Sequence, residues 1–78
     1  MSNPDLTIEQ RRALQLLADA PNGITDAALR ARGFSPTLIV GLVGAGYAEA
    51  KPRTMKAGGK TFAFMRFVIT NAGRRAIG

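Results

Sequence analysis

The sequence predicts a mostly α-helical domain with one small antiparallel β-hairpin (α+β): a three-helix bundle, a two-stranded flap and a short closing helix. Three observations predict it. In the first half, hydroxyl residues stand just ahead of three apolar stripes at helical spacing. Residues 47–69 then alternate in the way strands do, interrupted by a Gly-Gly pair. Finally, 78 residues enclose a single modest core, so residues 1–78 are expected to form one domain, with 1–6 as a flexible N-terminal segment.

The first helix is expected to start after Thr7, whose hydroxyl can cap the amide of Gln10 while the Gln10 side chain reaches back. Ala13, Leu14, Leu16, Leu17 and Ala20 form its apolar stripe, and Pro21, Asn22 and Gly23 end it. In "ITDAALRARG", Thr25 is the expected N-cap of a second helix and Asp26 suits its positive end. Ile24 and Leu29 stand at staple spacing, and Gly33 is the stop.

The stretch "GFSPTLIVGLVGAGYA" is the longest without a charged side chain. It is too short and too rich in glycine to span a bilayer, so no membrane association is expected. Ser35 before Pro36 is an N-cap followed by the favoured first helical residue. Leu38, Ile39, Leu42 and Val43 make one side apolar, while Thr37, Val40, Gly41 and Gly44 fall toward the other, and Gly46 closes a third helix.

"YAEAKPR" and "KTFAFMRFVIT" are then the strands, with "TMKAGG" as the turn between them. A turn centred near Ala57 and Gly58 sets Glu49 opposite Arg66 and Lys51 opposite Phe64. One face carries Ala48, Ala50, Met65, Phe67 and Ile69 toward the core. The other carries Tyr47, Glu49, Lys51, Arg53, Phe62, Phe64 and Arg66. Thr70 caps a closing helix, "NAGRRAI".

Charge divides along the chain. Residues 1–50 carry a net charge of −1, whereas Lys51 onward carries seven cations and no acid. A one-sided cationic segment of this kind is the footprint of a surface that meets polyanions. The opening "MSNPDLT" lacks a basic segment followed by an apolar run, so no secretory signal is expected. With no Cys and no His, neither a disulfide framework nor a Cys/His metal site is expected, and a cytoplasmic location fits. The five acids are scattered without acid/base or metal-ligand spacing, so neither an enzyme nor a cofactor or metal site is expected. "GGKT" lacks the leading glycine of a phosphate loop, because Thr54 stands there, and a strand follows it rather than a helix.

"LIVGLVGAGYAEAKPR" followed by "FVITNAGRRAI" resembles the end of the recognition helix, the wing and the closing helix of MarR-type transcriptional regulators and related winged helix-turn-helix families. The resemblance lies in Gly46-Tyr47 and in Ile69-Thr70-Asn71-Ala72-Gly73-Arg74, and it covers about Thr7 to Ile77. It implies a winged-helix fold and a DNA-binding role in transcription regulation. The 78 residues do not include the long terminal dimerisation helices of MarR-type proteins, and the third helix offers only Ser35, Thr37 and small apolar groups to a groove.

The expected function is therefore sequence-weak or shape-reading binding of double-stranded DNA, as a transcriptional regulator or accessory factor and as a homodimer. Ser35, Thr37 and Gly41 would approach the groove, and Lys51, Arg53, Lys56, Lys60, Arg66, Arg30 and Arg32 the phosphates. Phe62 and Phe64 are positioned to stack on bases, but cover by a second subunit, or by the chain's own segment 1–6, is the commoner fate of such a pair, and a dimer contact is the expectation. Two alternatives stand beside this: a protein-interaction module docking a protein partner through the uncharged third helix, and a single-stranded nucleic acid or RNA binder using Phe62 and Phe64.

Overall fold

The computed structural model describes residues 6–78. Four helices and a three-stranded antiparallel sheet run in the order α1 (Ile8–Ala18), β1 (Ile24–Thr25), α2 (Asp26–Ala31), α3 (Pro36–Gly44), β2 (Ala48–Ala57), β3 (Lys60–Ile69), α4 (Asn71–Ile77). No helix among the described residues is long and apolar enough to cross a membrane.

Each helix starts where a hydroxyl side chain takes up a free backbone amide. Thr7 accepts from the Gln10 amide at 3.0 Å and its own amide donates to the Gln10 side chain at 2.8 Å, a closed capping box. Thr25 accepts from Ala28, Ser35 from Leu38 and Thr70 from Gly73. Gly33 and Gly46 follow α2 and α3 with φ of 90° and 81°, the left-handed conformation that ends helices.

The core lies between the helices. Leu14 and Leu17 of α1, Leu29 of α2 and Leu42 of α3 are its largest fully buried side chains, each contributing roughly 1.5–3 kcal/mol of apolar burial. Phe34, Phe67, Ile69 and Ile77 pack around the cluster of Leu14, Leu17 and Leu42, and so does Leu6. Leu6 thus leaves the expected flexible segment, of which residues 1–5 lie outside the described residues.

The sheet differs from the sequence expectation in three ways. First, Ile24–Thr25 is a strand, pairing with Phe67 and Arg66, so the sheet order is β1-β3-β2. Second, Thr54 to Ala57 belong to β2 rather than to a turn. The loop is Gly58-Gly59 alone, with φ of 60° and 79°, the positive pair that a tight two-residue hairpin requires. Third, the register is displaced by two residues: Glu49 faces Val68, Lys51 faces Arg66, and Phe64 faces Arg53. Because side chains alternate with a period of two, an even displacement keeps every residue on its expected face. Met65 shares the core-side face but lies past the end of the core and is 38% exposed.

Burial along β2 fades from Ala48 outward, and the hairpin projects, giving the molecule extents of 48 × 22 × 20 Å. The hairpin's base is locked to the helices. Thr70 Oγ1 donates to the Gly46 carbonyl at 2.6 Å, and the Thr70 amide donates to the Tyr47 carbonyl at 3.1 Å. A Cβ on buried Gly73 would strike the Tyr47 carbonyl oxygen and come within 2.8 Å of the Ile69 side chain. Gly46-Tyr47 and Thr70-x-x-Gly73, far apart in sequence, are one clamp in space.

Candidate nucleic-acid interface

Cross-strand partners in an antiparallel pair point to the same side of the sheet. Four successive pairs therefore share the hairpin's solvent-side face: Lys51 with Arg66, Arg53 with Phe64, Met55 with Phe62, and Ala57 with Lys60. Lys51 with Arg66 and Lys60 stand at the ends of this row, and Phe64, Met55 and Phe62 lie between them beside Arg53. Phe62 is 48% and Met55 55% exposed. Lys56, paired with Thr61, lies on the reverse face near the tip.

Among the described residues no salt bridge involves any cation from Lys51 onward; the one ion pair is Arg30 with Asp26, 3.0 Å apart across one turn of α2. Arg66 donates to the Asn22 carbonyl at 3.3 Å and sits 5.8 Å from the centroid of Phe64, while Arg53 donates to the neighbouring Pro52 carbonyl. These contacts orient the guanidinium groups without cancelling their charge. The face thus keeps a positive potential available to a ligand.

A groove of about 690 Å³ runs between the start of α2 and this face, with Asp26 and Arg30 on one wall and Met55, Phe62, Phe64 and Arg66 on the other. Because β1 pairs only with Phe67 and Arg66, the β3 edge beyond them has no strand beside it on this side. The opposite edge, β2, carries Lys51, Pro52 and Arg53, side chains of the kind that blunt strand edges against further pairing.

The remaining candidates are elsewhere. Ser35, Thr37 and Gly41 are exposed on α3, beside Val40 at 70% exposure, while Ile39 and Leu42 face inward. The Ser35 hydroxyl is engaged as the cap of α3. A Cβ added at Gly41 or Gly44 meets nothing within 4 Å, so packing within the chain does not require glycine at either position. Arg32 lies in a separate cleft with Glu9, Arg12 and Phe34. The structure therefore brings together Lys51, Arg53, Lys60, Arg66, Phe62, Phe64 and Arg30, and leaves Lys56, Arg32 and the α3 residues apart from that surface. Met55 joins the site without having been singled out by the sequence. Its signal was the alternation carried through Thr54-Met55-Lys56-Ala57 up to the glycine pair.

No family model matches the chain, and no curated protein or solved structure matches it significantly.

Proposed function

We propose that the protein is a winged helix-turn-helix module that binds double-stranded DNA in the cytoplasm as a transcriptional regulator or accessory factor, with little sequence discrimination. One observation carries the reading: a projecting hairpin holds five cations, Lys51, Arg53, Lys56, Lys60 and Arg66, none of them in an ion pair with a described carboxylate. Three helices followed by that hairpin and a closing helix is the order implied by the resemblance at Gly46-Tyr47 and Thr70 to Arg74. In this reading the hairpin supplies most of the phosphate contacts, and Arg32, Arg74 and Arg75 at helix ends add to them. α3 fits the groove sterically. It has no Arg, Lys, Asn or Gln for bidentate base contacts, so discrimination rests on DNA shape.

Mobility-shift titration of random-sequence duplex over a salt series tests the proposal. Complexes that weaken steeply as salt rises support it, and absence of a complex at low salt overturns it.

A second reading is favoured by the exposed, uncharged surface of α3 at Val40, Gly41 and Gly44, whose small side chains the fold itself does not demand. In it α3 docks a protein, a second copy of this chain included, as homodimerisation would require. Sedimentation of V40E, compared with the parent protein, separates a dimer built on this surface from a monomer.

A further inference from the structure

We infer that the apolar middle of the hairpin's solvent-side face is a seat for unpaired bases, so that the favoured ligand is nucleic acid with a short single-stranded segment. The inference rests on reading the chain as a nucleic-acid-binding module. It deepens that reading by naming the state of the nucleic acid.

Phosphate attraction alone accounts for cations but not for what lies between them. Along β3 the face runs Lys60, Phe62, Phe64, Arg66, and along β2 it runs Ala57, Met55, Arg53, Lys51. An exposed phenylalanine and an exposed methionine in a cationic setting gain nothing from a duplex backbone, which presents only phosphates and sugars. A duplex also hides the flat faces of its bases in its own stack. Unpaired bases expose those faces, and aromatic side chains flanked by cations form the arrangement that binds single strands: rings take the bases while the cations follow the phosphates.

The spacing agrees. Residues two apart on one strand face lie about 6.7 Å from each other, about twice the 3.4 Å rise per nucleotide of a stacked strand, so Phe62 and Phe64 can each meet a different base of an extended segment. Beyond the aromatic pair, Lys60 lies at the tip side and Arg66 with Lys51 at the base side, positions for the flanking phosphates. The groove beside α2 leaves room for a base at Met55 and Phe62.

Charge decides between occupants. A second copy laid face to face on this surface would set Lys51, Arg53, Lys60 and Arg66 against their own equivalents, with Glu49 the hairpin's single acid to offset them. Like charges brought together oppose such an interface, whereas a polyanion complements it.

The test uses fluorescence anisotropy with three labelled probes at one salt concentration: a blunt random duplex, the same duplex with a short single-stranded overhang, and the single strand alone. The wild-type protein is expected to bind the overhang probe more tightly than the blunt one, by roughly five- to 150-fold per stacked base. F62A is expected to lose the share of that preference owed to one stacked base, read as a fall in the ratio of overhang to blunt affinity. F62W should retain the preference, and thermal melting monitors folding of each variant, which the 48% exposure of Phe62 favours.

Equal wild-type affinity for blunt and overhang probes overturns the inference. So does an F62A that loses affinity equally for both, or one that turns a dimer into a monomer, which would place a second copy on the aromatic strip. Binding of single strand and overhang without binding of blunt duplex upholds the inference and removes the duplex reading; blunt binding without preference does the reverse.

Discussion

Changing Lys51, Arg53, Lys56 and Lys60 together to Ala tests where the attraction for polyanions resides, and its size can be worked out beforehand. Each cation that neutralises a phosphate adds about 0.9 to the slope of log affinity against log salt. None of the four is in an ion pair with a described carboxylate, so each is available in full. If the hairpin lies within a groove and meets both walls, Lys56 on the reverse face counts with the others and the slope falls by about 3.6. If only the solvent-side face meets the backbone, Lys56 drops out and the fall is about 2.7. Over a fourfold rise in salt, from about 50 to about 200 mM, the wild-type advantage should then shrink by roughly 150-fold in the first geometry and roughly 40-fold in the second. Arg66 and the helical arginines are unchanged, so they contribute to both proteins and cancel in the difference. The assay is a mobility-shift or anisotropy titration of random duplex at several salt concentrations, with circular dichroism to verify the fold. Slopes that agree within about one unit would refute the reasoning, because the phosphate contacts would then lie off these four side chains.

Other expectations concern the scaffold. Gly73→Ala drives a methyl group into the Tyr47 carbonyl and the Ile69 side chain and should cost about 1–3 kcal/mol, lowering the melting temperature by roughly 4–8 °C for each kcal/mol. Gly41→Ala should do the opposite, raising stability by about 0.5–1 kcal/mol in denaturant melts, since the added methyl enters open space in the interior of a helix. Thr70→Val removes the cap of α4 and the bond to Gly46, and should cost about 1–2 kcal/mol by the same measurement while leaving affinity per folded molecule unaltered.

The helices were legible because what starts and stops them is local. Thr7, Thr25, Ser35 and Thr70 cap amides three residues away, and Gly33 and Gly46 adopt the positive φ that their positions after apolar stripes called for. β1 was illegible for the complementary reason. Ile24 and Thr25 look like a staple residue and a cap, and they become a strand only through partners more than forty positions away, Phe67 and Arg66. The turn was misplaced because the alternation through Thr54 to Ala57 is weak, with Met55 its one large apolar side chain, and the glycine pair was absorbed into a longer loop. The error was even, so the cationic and aromatic face survived it, although the expected pairings of Lys51 with Phe64 and of Glu49 with Arg66 did not, and Met55 was left off the face. Gly73 was legible only as one letter of Thr70-x-x-Gly73, and its steric reason, the Tyr47 carbonyl against it, exists only in three dimensions.

The two-residue loop at Gly58-Gly59 makes the reach of the hairpin a stepped quantity. Lengthening both strands by two residues moves the tip outward by about 6.7 Å and leaves each existing side chain aimed as before, whereas lengthening by one inverts everything distal to the insertion. Because the leucines that provide cohesion sit wholly among the helices, such steps alter the span across a ligand without touching what keeps the chain folded. Length here behaves as a ratchet whose odd notches are closed.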